Sequence, residues 1–187
     1  CALGEKLVAS ILPEWSLAGP SIDTKGVTKL IAALPRYAEQ ARFVQPVICI
    51  ADTDGRCVKQ WLEKYSPVRL HSYFLLRLAV NEAESWLIAD QEGFAGALHV
   101  DKKKLPLWPD EVIDAKGLVL QVLAKSKLRP IREEAVSRTD RTRQGPGYNL
   151  HLCNFVKSDW SAERARSASP SLARACAHLQ KMKDIRV

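Results

Sequence analysis

The chain has 187 residues, of which 47% are hydrophobic and 26% are charged, and this ordinary globular composition excludes disorder as the main theme. Its 9 Gly and 10 Pro follow no period, which also excludes collagen-like and low-complexity proteins. Lys and Arg (28) exceed Asp and Glu (21), and the net charge of +7 indicates either a polyanion-binding surface or a basic surface that only confers solubility.

The first 40 residues predict two helices. Apolar residues at helical spacing form one stripe over residues 3–12, and a second amphipathic pattern predicts a helix over 27–40. Glu5 and Lys6 interrupt the apolar start, so we expect no secretory signal. No apolar run reaches the roughly 18 residues that cross a bilayer. We therefore expect a cytoplasmic protein that does not act at a membrane.

The middle of the chain alternates strands and helices. Residues 46–51 are almost wholly apolar and rich in β-branched side chains, which predicts a strand buried on both faces, as in a parallel sheet. A helix over 56–65 and a second strand within 68–80 follow. This alternation predicts an α/β fold with a mostly parallel sheet flanked by helices. We expect one domain over 1–187, with residues 1–125 as its α/β core.

The remainder predicts a helical C-terminal section. Short helices are expected over 81–90, with a continuation at 94–98, and over 112–125. Residues 126–147 combine basic residues with Pro and Gly and predict a long basic surface loop. Closing helices follow over 148–157 and 169–183, the last with Ser169 as N-cap and Pro170 at its first position.

The five cysteines are odd in number and contain no Cys-x-x-Cys pair. This pattern indicates reduced, mostly buried thiols of a cytoplasmic protein. The four histidines are scattered, which argues against a histidine metal site. The five tryptophans are also dispersed, and we expect each to be packed or half-buried.

Two aspartates follow the buried strand. Asp52 and Asp54 project to the same side of an extended segment and offer hard oxygens to Mg²⁺ or Mn²⁺. Alternatively, Asp54 caps the next helix, which leaves Asp52 unexplained. Arg56 and Cys57 stand where a calcium-binding EF-hand requires a ligand and a Gly, which excludes that motif. The phosphatase motif of haloacid-dehalogenase-like enzymes, with Asp52 as covalent nucleophile, remains an alternative, although Arg56 replaces its Thr.

A second acidic cluster lies in the predicted helix over 81–90. Glu82 and Asp90 share one face with a Trp, whereas Glu84 lies on an apolar face. A carboxylate on an apolar face needs a partner. Arg77, a backbone amide, or a metal shared with the two aspartates are the candidates. The bland alternative is an Arg77–Glu84 ion pair with Glu82 and Asp90 in solvent.

Three motifs together resemble an uncharacterised bacterial family related to the Toprim fold, the metal-binding α/β module of primases, topoisomerases and overcoming-lysogenization-defect nucleases. They are Asp52-Thr-Asp54, the run from Arg77 through Glu82, Glu84 and Trp86 to Asp90, and Ser169-Pro170-Ser171 at the start of a late helix. The resemblance implies that Asp52 and Asp54 are metal ligands, with Glu82 and Glu84 as the family's Glu-x-Glu.

The Toprim pattern also has a Glu-Gly-x-x-Glu-like run at its first strand. Glu5 fits the second acidic position of that run, whereas Cys1 stands at the first. The resemblance implies catalysis by Asp52, Asp54, Glu5 and Glu84 with Mg²⁺ or Mn²⁺, a role in phage defence, and a partner protein encoded nearby. The substitution at Cys1 leaves an inactive binding module as the alternative.

Five arginines of the basic loop are the candidate nucleic-acid ligands. They could clamp a phosphate backbone, in which case binding would weaken with salt. The alternative is a solvated basic surface. These residues are Arg129, Arg132, Arg138, Arg141 and Arg143.

Overall fold

The computed structural model describes residues 1–52, 72–79 and 83–183. The helix predicted over 56–65 lies outside these residues. The helices are α1 (Ala2–Ile11), α2 (Val27–Phe43), α3 (Ala83–Ala89), α4 (Gln91–Ala97), α5 (Ala115–Leu123), α6 (Arg129–Glu134), α7 (Tyr148–Ser158), α8 (Ala162–Ala165) and α9 (Pro170–Lys183). The strands are β1 (Val47–Asp52) and β2 (Phe74–Ala79), and short 3-10 helices span Lys102–Lys104 and Pro109–Glu111.

The two strands pair in parallel, in register from Val47 opposite Phe74 to Asp52 opposite Ala79. A mixed α/β fold with a parallel strand pair is therefore confirmed. Helices outweigh the sheet, which has two strands within the described residues. A larger Toprim-like sheet is not confirmed.

Helix α2 covers one face of the strand pair. Side chains of a strand alternate between its faces, so Cys49 of β1 and Phe74 and Leu76 of β2 point the same way. They pack with Leu30 and Leu34 of α2 in a small apolar cluster. This burial explains why the side of each strand that faces α2 is apolar.

The opposite face joins the main core. Ile48, Ile50 and Leu75 pack there, and α9 contacts β2. Gly4 lets α1 approach the sheet closely, because a Cβ at Gly4 would lie 3.3 Å from Cδ1 of Ile50. The start of α1 therefore lies against the carboxyl-terminal half of β1.

Most of the core lies between the helices that follow the sheet. Its largest fully buried side chains are aromatic, and Phe94 and Phe155 meet edge to face with centroids 5.5 Å apart. None of the helices in the described residues combines the length and the apolar composition needed to cross a bilayer. The core includes Leu7, Trp86, Phe94, Leu120, Leu123, Tyr148, Phe155, Trp160, Leu172 and Leu179.

A buried ion pair joins α3 and α4 to α8. The Asp90 side chain is 0% exposed and accepts two hydrogen bonds from Arg164, one from Nε and one from Nη2, both 2.7 Å long. The backbone amides of Gly93 (3.1 Å) and Ser161 (2.8 Å) donate to the same carboxylate. The hydrogen bonds that Arg164 donates to Asp90 raise the pKa of the guanidinium. The alternative that left Asp90 in solvent is wrong, because Arg164 and the Ser161 amide, about 70 residues away, and the nearby Gly93 amide compensate for its burial.

Helix α9 begins as predicted. The Ser169 hydroxyl oxygen accepts a hydrogen bond from the Leu172 amide (3.2 Å), which confirms the N-cap. The Asp110 carboxylate also contacts this end of the helix and accepts hydrogen bonds from the Ser169 hydroxyl and from the Ser171 amide, both 2.8 Å long. The Ser171 hydroxyl in turn accepts from Trp86 Nε1 (2.7 Å), which ties α9 to α3.

The region predicted as a basic loop, 126–147, contains regular structure. Helix α6 occupies part of it, and an antiparallel bridge joins Val136 and Gln144. Gly145 passes so close to Glu134 that a Cβ would collide with the Glu134 carbonyl oxygen, and its amide donates to the Ala135 carbonyl (2.9 Å). Gly145 therefore permits a close approach of two backbone segments, and Pro130 lies in the first turn of α6.

The cysteines differ in exposure. Cys49 and Cys176 are buried free thiols, Cys153 is half-buried, and Cys1 is exposed, so burial is confirmed for only part of the set. Burial raises the pKa of the Cys49 thiol to about 12. Cys49 therefore remains protonated at any pH at which the protein is handled.

Replacement of Arg164 by Met should lower the free energy of unfolding by about 2 kcal/mol. The buried Asp90 carboxylate would lose its countercharge and keep only the two amide donors. The loss of stability is smaller than for a fully buried ion pair, because the Arg164 side chain is 43% exposed and solvent screens its charge. Urea denaturation measures the change. Arg166, which pairs with the exposed Glu163, is the matched control, and Arg166→Met should change stability by less than about 0.5 kcal/mol. Equal losses in both variants would contradict this role of Asp90.

Alkylation should distinguish Cys49 from Cys1. Only the thiolate reacts with an alkylating reagent. A pKa near 12 therefore predicts that the alkylation rate at Cys49 is far below that at Cys1 at pH 8. The rate at Cys49 should still rise about tenfold for each pH unit up to pH 11. Iodoacetamide labelling of the folded protein followed by peptide mass spectrometry measures both sites. Modification of Cys49 as fast as Cys1 at pH 8 would show that it is accessible.

Candidate functional site

The carboxyl ends of β1 and β2 form one edge of the sheet. Asp52 is the last residue of β1 and pairs in register with Ala79, the last residue of β2. Because the strands are parallel, the segments that leave them start from the same edge, where ligands bind in open α/β sheets. The structure therefore places the backbone of Asp52 where the sequence analysis expected a site.

Glu84 belongs to the first turn of α3, the helix that follows β2. Its Oε1 accepts a hydrogen bond of 2.9 Å from the Tyr148 hydroxyl. Tyr148 is the first residue of α7 and is buried, and Lys116 Nζ lies 5.8 Å from the centroid of its ring. The partner that a half-buried carboxylate requires is thus a tyrosine from a helix 64 residues away.

Arg77, one of the candidate partners for Glu84, makes a different contact. Its Nη1 donates to the Leu76 carbonyl (2.8 Å), and its buried Nε has no hydrogen-bond partner among the described residues. Desolvation lowers the pKa of this guanidinium. Arg77 lies opposite Ile50, two positions before the carboxyl edge. The Arg77–Glu84 ion pair is therefore a wrong prediction, and the sheet carries a partly buried cation close to its acidic edge.

Glu5 is also close to this edge. It lies in the first turn of α1 beside Gly4, whose contact with Ile50 brings the start of that helix to the end of β1. The Ser21 hydroxyl donates a hydrogen bond to the Glu5 carboxylate. The contact at Gly4 thus places the backbone of Glu5 next to the carboxyl-terminal half of β1.

The predicted metal site stays a prediction. Asp54 and Glu82 lie outside the described residues, and of Asp52 the structure describes the backbone. In residues 1–52, 72–79 and 83–183 no group of three or more His, Cys, Asp or Glu side chains is arranged to hold a metal ion. The candidate ligands are all carboxylates, and this donor set suits Mg²⁺ and Mn²⁺.

The five candidate arginines differ in their partners. Arg129 and Arg138 both contact the Glu133 carboxylate, at 2.7 and 3.4 Å, and Arg143 contacts Asp140 at 3.3 Å. The hydrogen bond from Arg129 lowers the pKa of Glu133. All three arginine side chains are about four-fifths exposed. They are accessible, but neighbouring carboxylates offset part of their charge.

The other two arginines have contrasting environments. Arg132 donates from Nη1 to the carbonyl of the buried Ser126 (2.6 Å), so it stabilises the chain after α5. Arg141 is exposed and has no hydrogen bond or ion pair to the described residues. The five arginines are therefore not one equivalent set, and only Arg141 has its full charge free of such contacts.

Two features of this region carry no signal in the sequence. Tyr148 is not recognisable as the partner of Glu84, because the pairing depends on the packing of α7 against the rest of the core. Arg164 is likewise not recognisable as the partner of Asp90. Of the tryptophans, expected to be packed or half-buried, Trp86 and Trp160 are buried and Trp108 is 53% exposed.

No protein-family model, characterised protein or solved structure matches this chain. The resemblance to Toprim-related proteins therefore rests on the motif residues alone.

A double-mutant cycle should detect the Tyr148–Glu84 hydrogen bond. Tyr148→Phe keeps the buried ring but removes the donor, and we expect a loss of about 1 kcal/mol in the free energy of unfolding. Glu84→Gln keeps an acceptor but removes the charge. In the Glu84→Gln background, Tyr148→Phe should cost measurably less, since the hydroxyl then faces a neutral acceptor. Additive losses in urea denaturation would mean that the two side chains do not interact.

Proposed function

We propose that this chain is a Toprim-like, divalent-metal-dependent protein that acts on the phosphodiester bonds of nucleic acid. The observation that supports the proposal is the parallel pairing that ends at Asp52 and Ala79, with α3 and its Glu84 directly after β2. Asp52 and Glu84, the described members of the Asp-x-Asp and Glu-x-Glu pairs, thus belong to one of the paired strands and to the helix that follows the other. Free thiols at Cys49 and Cys176 suit a cytoplasmic location, which is part of the proposal.

In this proposal Asp52, Asp54, Glu82 and Glu84 hold Mg²⁺ or Mn²⁺. Of these four residues, the structure describes the side-chain contacts of Glu84. Glu84 is compatible with a role as a metal ligand, because the Tyr148 hydroxyl donates to Oε1 and no hydrogen bond from the described residues reaches Oε2. A bound divalent ion would polarise a phosphoryl oxygen and lower the pKa of a bound water.

The chain's own residues have separate tasks in this proposal. Glu5 would accept a proton or add a ligand, and the proposal is supported by its position beside Gly4, which approaches Ile50 of β1, and by the Ser21 hydroxyl, which donates to its carboxylate. Arg77 is a cation two positions from the edge and would attract the anionic substrate. A partner protein encoded nearby and a role in phage defence derive from the motif resemblance and belong to the same proposal.

A catalytically inactive nucleic-acid-binding module is the second candidate. Cys1 at the first acidic position of the Glu-Gly-x-x-Glu-like run favours it, as does the engagement of Glu84 by Tyr148. Such a module would bind DNA in the presence of a chelator and would not cleave it, whichever metal is added.

Asp52→Asn should abolish metal-dependent cleavage. Nicking of supercoiled plasmid in Mg²⁺ or Mn²⁺ is expected to fall at least about 100-fold, because a catalytic metal contributes several kcal/mol to the transition state. Calorimetric titration with Mn²⁺ should show weakened binding in the same variant. The matched control is Asp23→Asn, since Asp23 is an exposed aspartate whose side chain pairs with Lys25.

Undiminished nicking by Asp52→Asn would rule out the proposed centre. Chelator-insensitive DNA binding by the wild-type protein, without nicking in either metal, would favour the inactive module.

A further inference from the structure

We infer that residues 99–104 and 125–132 form one positively charged face that binds the phosphate backbone of nucleic acid. We call it the lysine face. The inference rests on the proposed action on nucleic acid and locates the polyanion. It also moves the expected interface away from the arginines at 138–143.

The net positive charge of the chain is concentrated on the lysine face. The lysine face contains seven basic residues and one acidic residue, and its net charge of +6 is nearly the whole chain's +7. Residues 133–147 contain three arginines and three acidic residues, and their net charge is zero. The basic residues of the lysine face are Lys102, Lys103, Lys104, Lys125, Lys127, Arg129 and Arg132.

Backbone and hydroxyl contacts bring the two segments together. The hydroxyl of the buried Ser126 donates to the Leu98 carbonyl (2.7 Å), and the Lys127 amide donates to the His99 carbonyl (2.8 Å). Lys102 follows His99 by three residues, so their Cα atoms are at most about 11 Å apart. Two lysine clusters separated by more than 20 residues in the sequence are therefore neighbours on the surface.

The charges of the lysine face are less compensated than those of 133–147. Lys102 contacts Glu92 at 3.2 Å and Arg129 contacts Glu133. Lys103, Lys104, Lys125 and Lys127 are exposed and form no ion pair with the part of the chain that the structure describes. In 133–147, by contrast, Arg138 and Arg143 each contact a carboxylate. Uncompensated, accessible cations are the groups that release counterions when a phosphate backbone binds.

The shape of the face favours nucleic acid over a lipid surface. It consists of a 3-10 turn, a connection and the start of the six-residue helix α6. Stable insertion into a membrane surface uses a long amphipathic helix whose apolar side enters the lipid, and the described residues of the lysine face form no such helix. Lysines on turns follow a backbone of regularly spaced phosphates without reading base sequence.

Paired neutralisations test this assignment. The double variant Lys103→Gln/Lys104→Gln is compared with the double variant Arg141→Gln/Arg143→Gln. Fluorescence anisotropy measures the binding of each to a short DNA duplex of arbitrary sequence. The measurement is repeated over a series of salt concentrations, with a chelator present throughout. Loss of two phosphate contacts should reduce the slope of log K against log salt by about 1.8 and weaken binding roughly 50-fold near 0.1 M salt. The arginine pair should reduce the slope by less than about 1. Neither variant should melt at a lower temperature than the wild type, because the four side chains are exposed.

An unchanged slope in the lysine variant, or a larger loss in the arginine variant, would overturn the assignment. Wild-type binding to phosphatidylserine vesicles but not to DNA would also overturn it. The chelator separates this test from the metal site, so Asp52→Asn should bind like the wild type. Lysine-dependent binding without metal-dependent nicking would support the lysine face and contradict the proposed enzyme.

Discussion

The carboxylate of Asp90 is the group on which the helical part of this protein depends. A carboxylate without solvent contact is costly unless donors surround it, and here Arg164 supplies two hydrogen bonds and two amides supply the rest. These donors come from α4 and from the start of α8, so the ion pair fixes the relative positions of segments about 70 residues apart. The apolar core around it is larger, but apolar contacts are not directional. The hydrogen bonds of Asp90 specify which packing the core adopts.

The candidate site inherits its geometry from this arrangement. Helix α3 ends at Ala89, next to Asp90, and the Trp86 side chain and carbonyl are bonded to Ser171 and to Trp160 Nε1. These contacts hold α3 from both sides and leave Glu84 at its first turn facing Tyr148. The position of Glu84 next to the sheet therefore depends on the helices that pack against α3. One wall of the acidic edge is set by α7, α8 and α9, and of these helices the sequence motifs include only the start of α9.

Local patterns predicted the elements better than the partners. The β-branched run before Asp52 and the Ser-Pro start of α9 predicted a strand and an N-cap, because both depend on neighbouring residues. The partners of Glu84 and Asp90 were not predicted, because Tyr148 and Arg164 reach them only through the packing of distant helices. The basic region shows the same division. Its charge is visible in the sequence, but the turn at Gly145, the carboxylates that offset individual arginines, and the proximity of the Lys102–Lys104 turn depend on the fold. The ligand set at the edge remains a prediction, since two of its four members lie outside the described residues.

The joining of two lysine segments through Ser126 has a thermodynamic consequence. Seven cations gathered on one face repel each other, and this repulsion opposes the folded state, which alone brings them together. Screening by salt relieves the repulsion, so added salt should favour folding while it weakens the hold on a polyanion. A bound polyanion relieves the same repulsion more strongly, because it binds the assembled face and not the separated segments of the unfolded chain. Ligand and salt therefore compete for the same surface, and either one makes the folded chain harder to unfold.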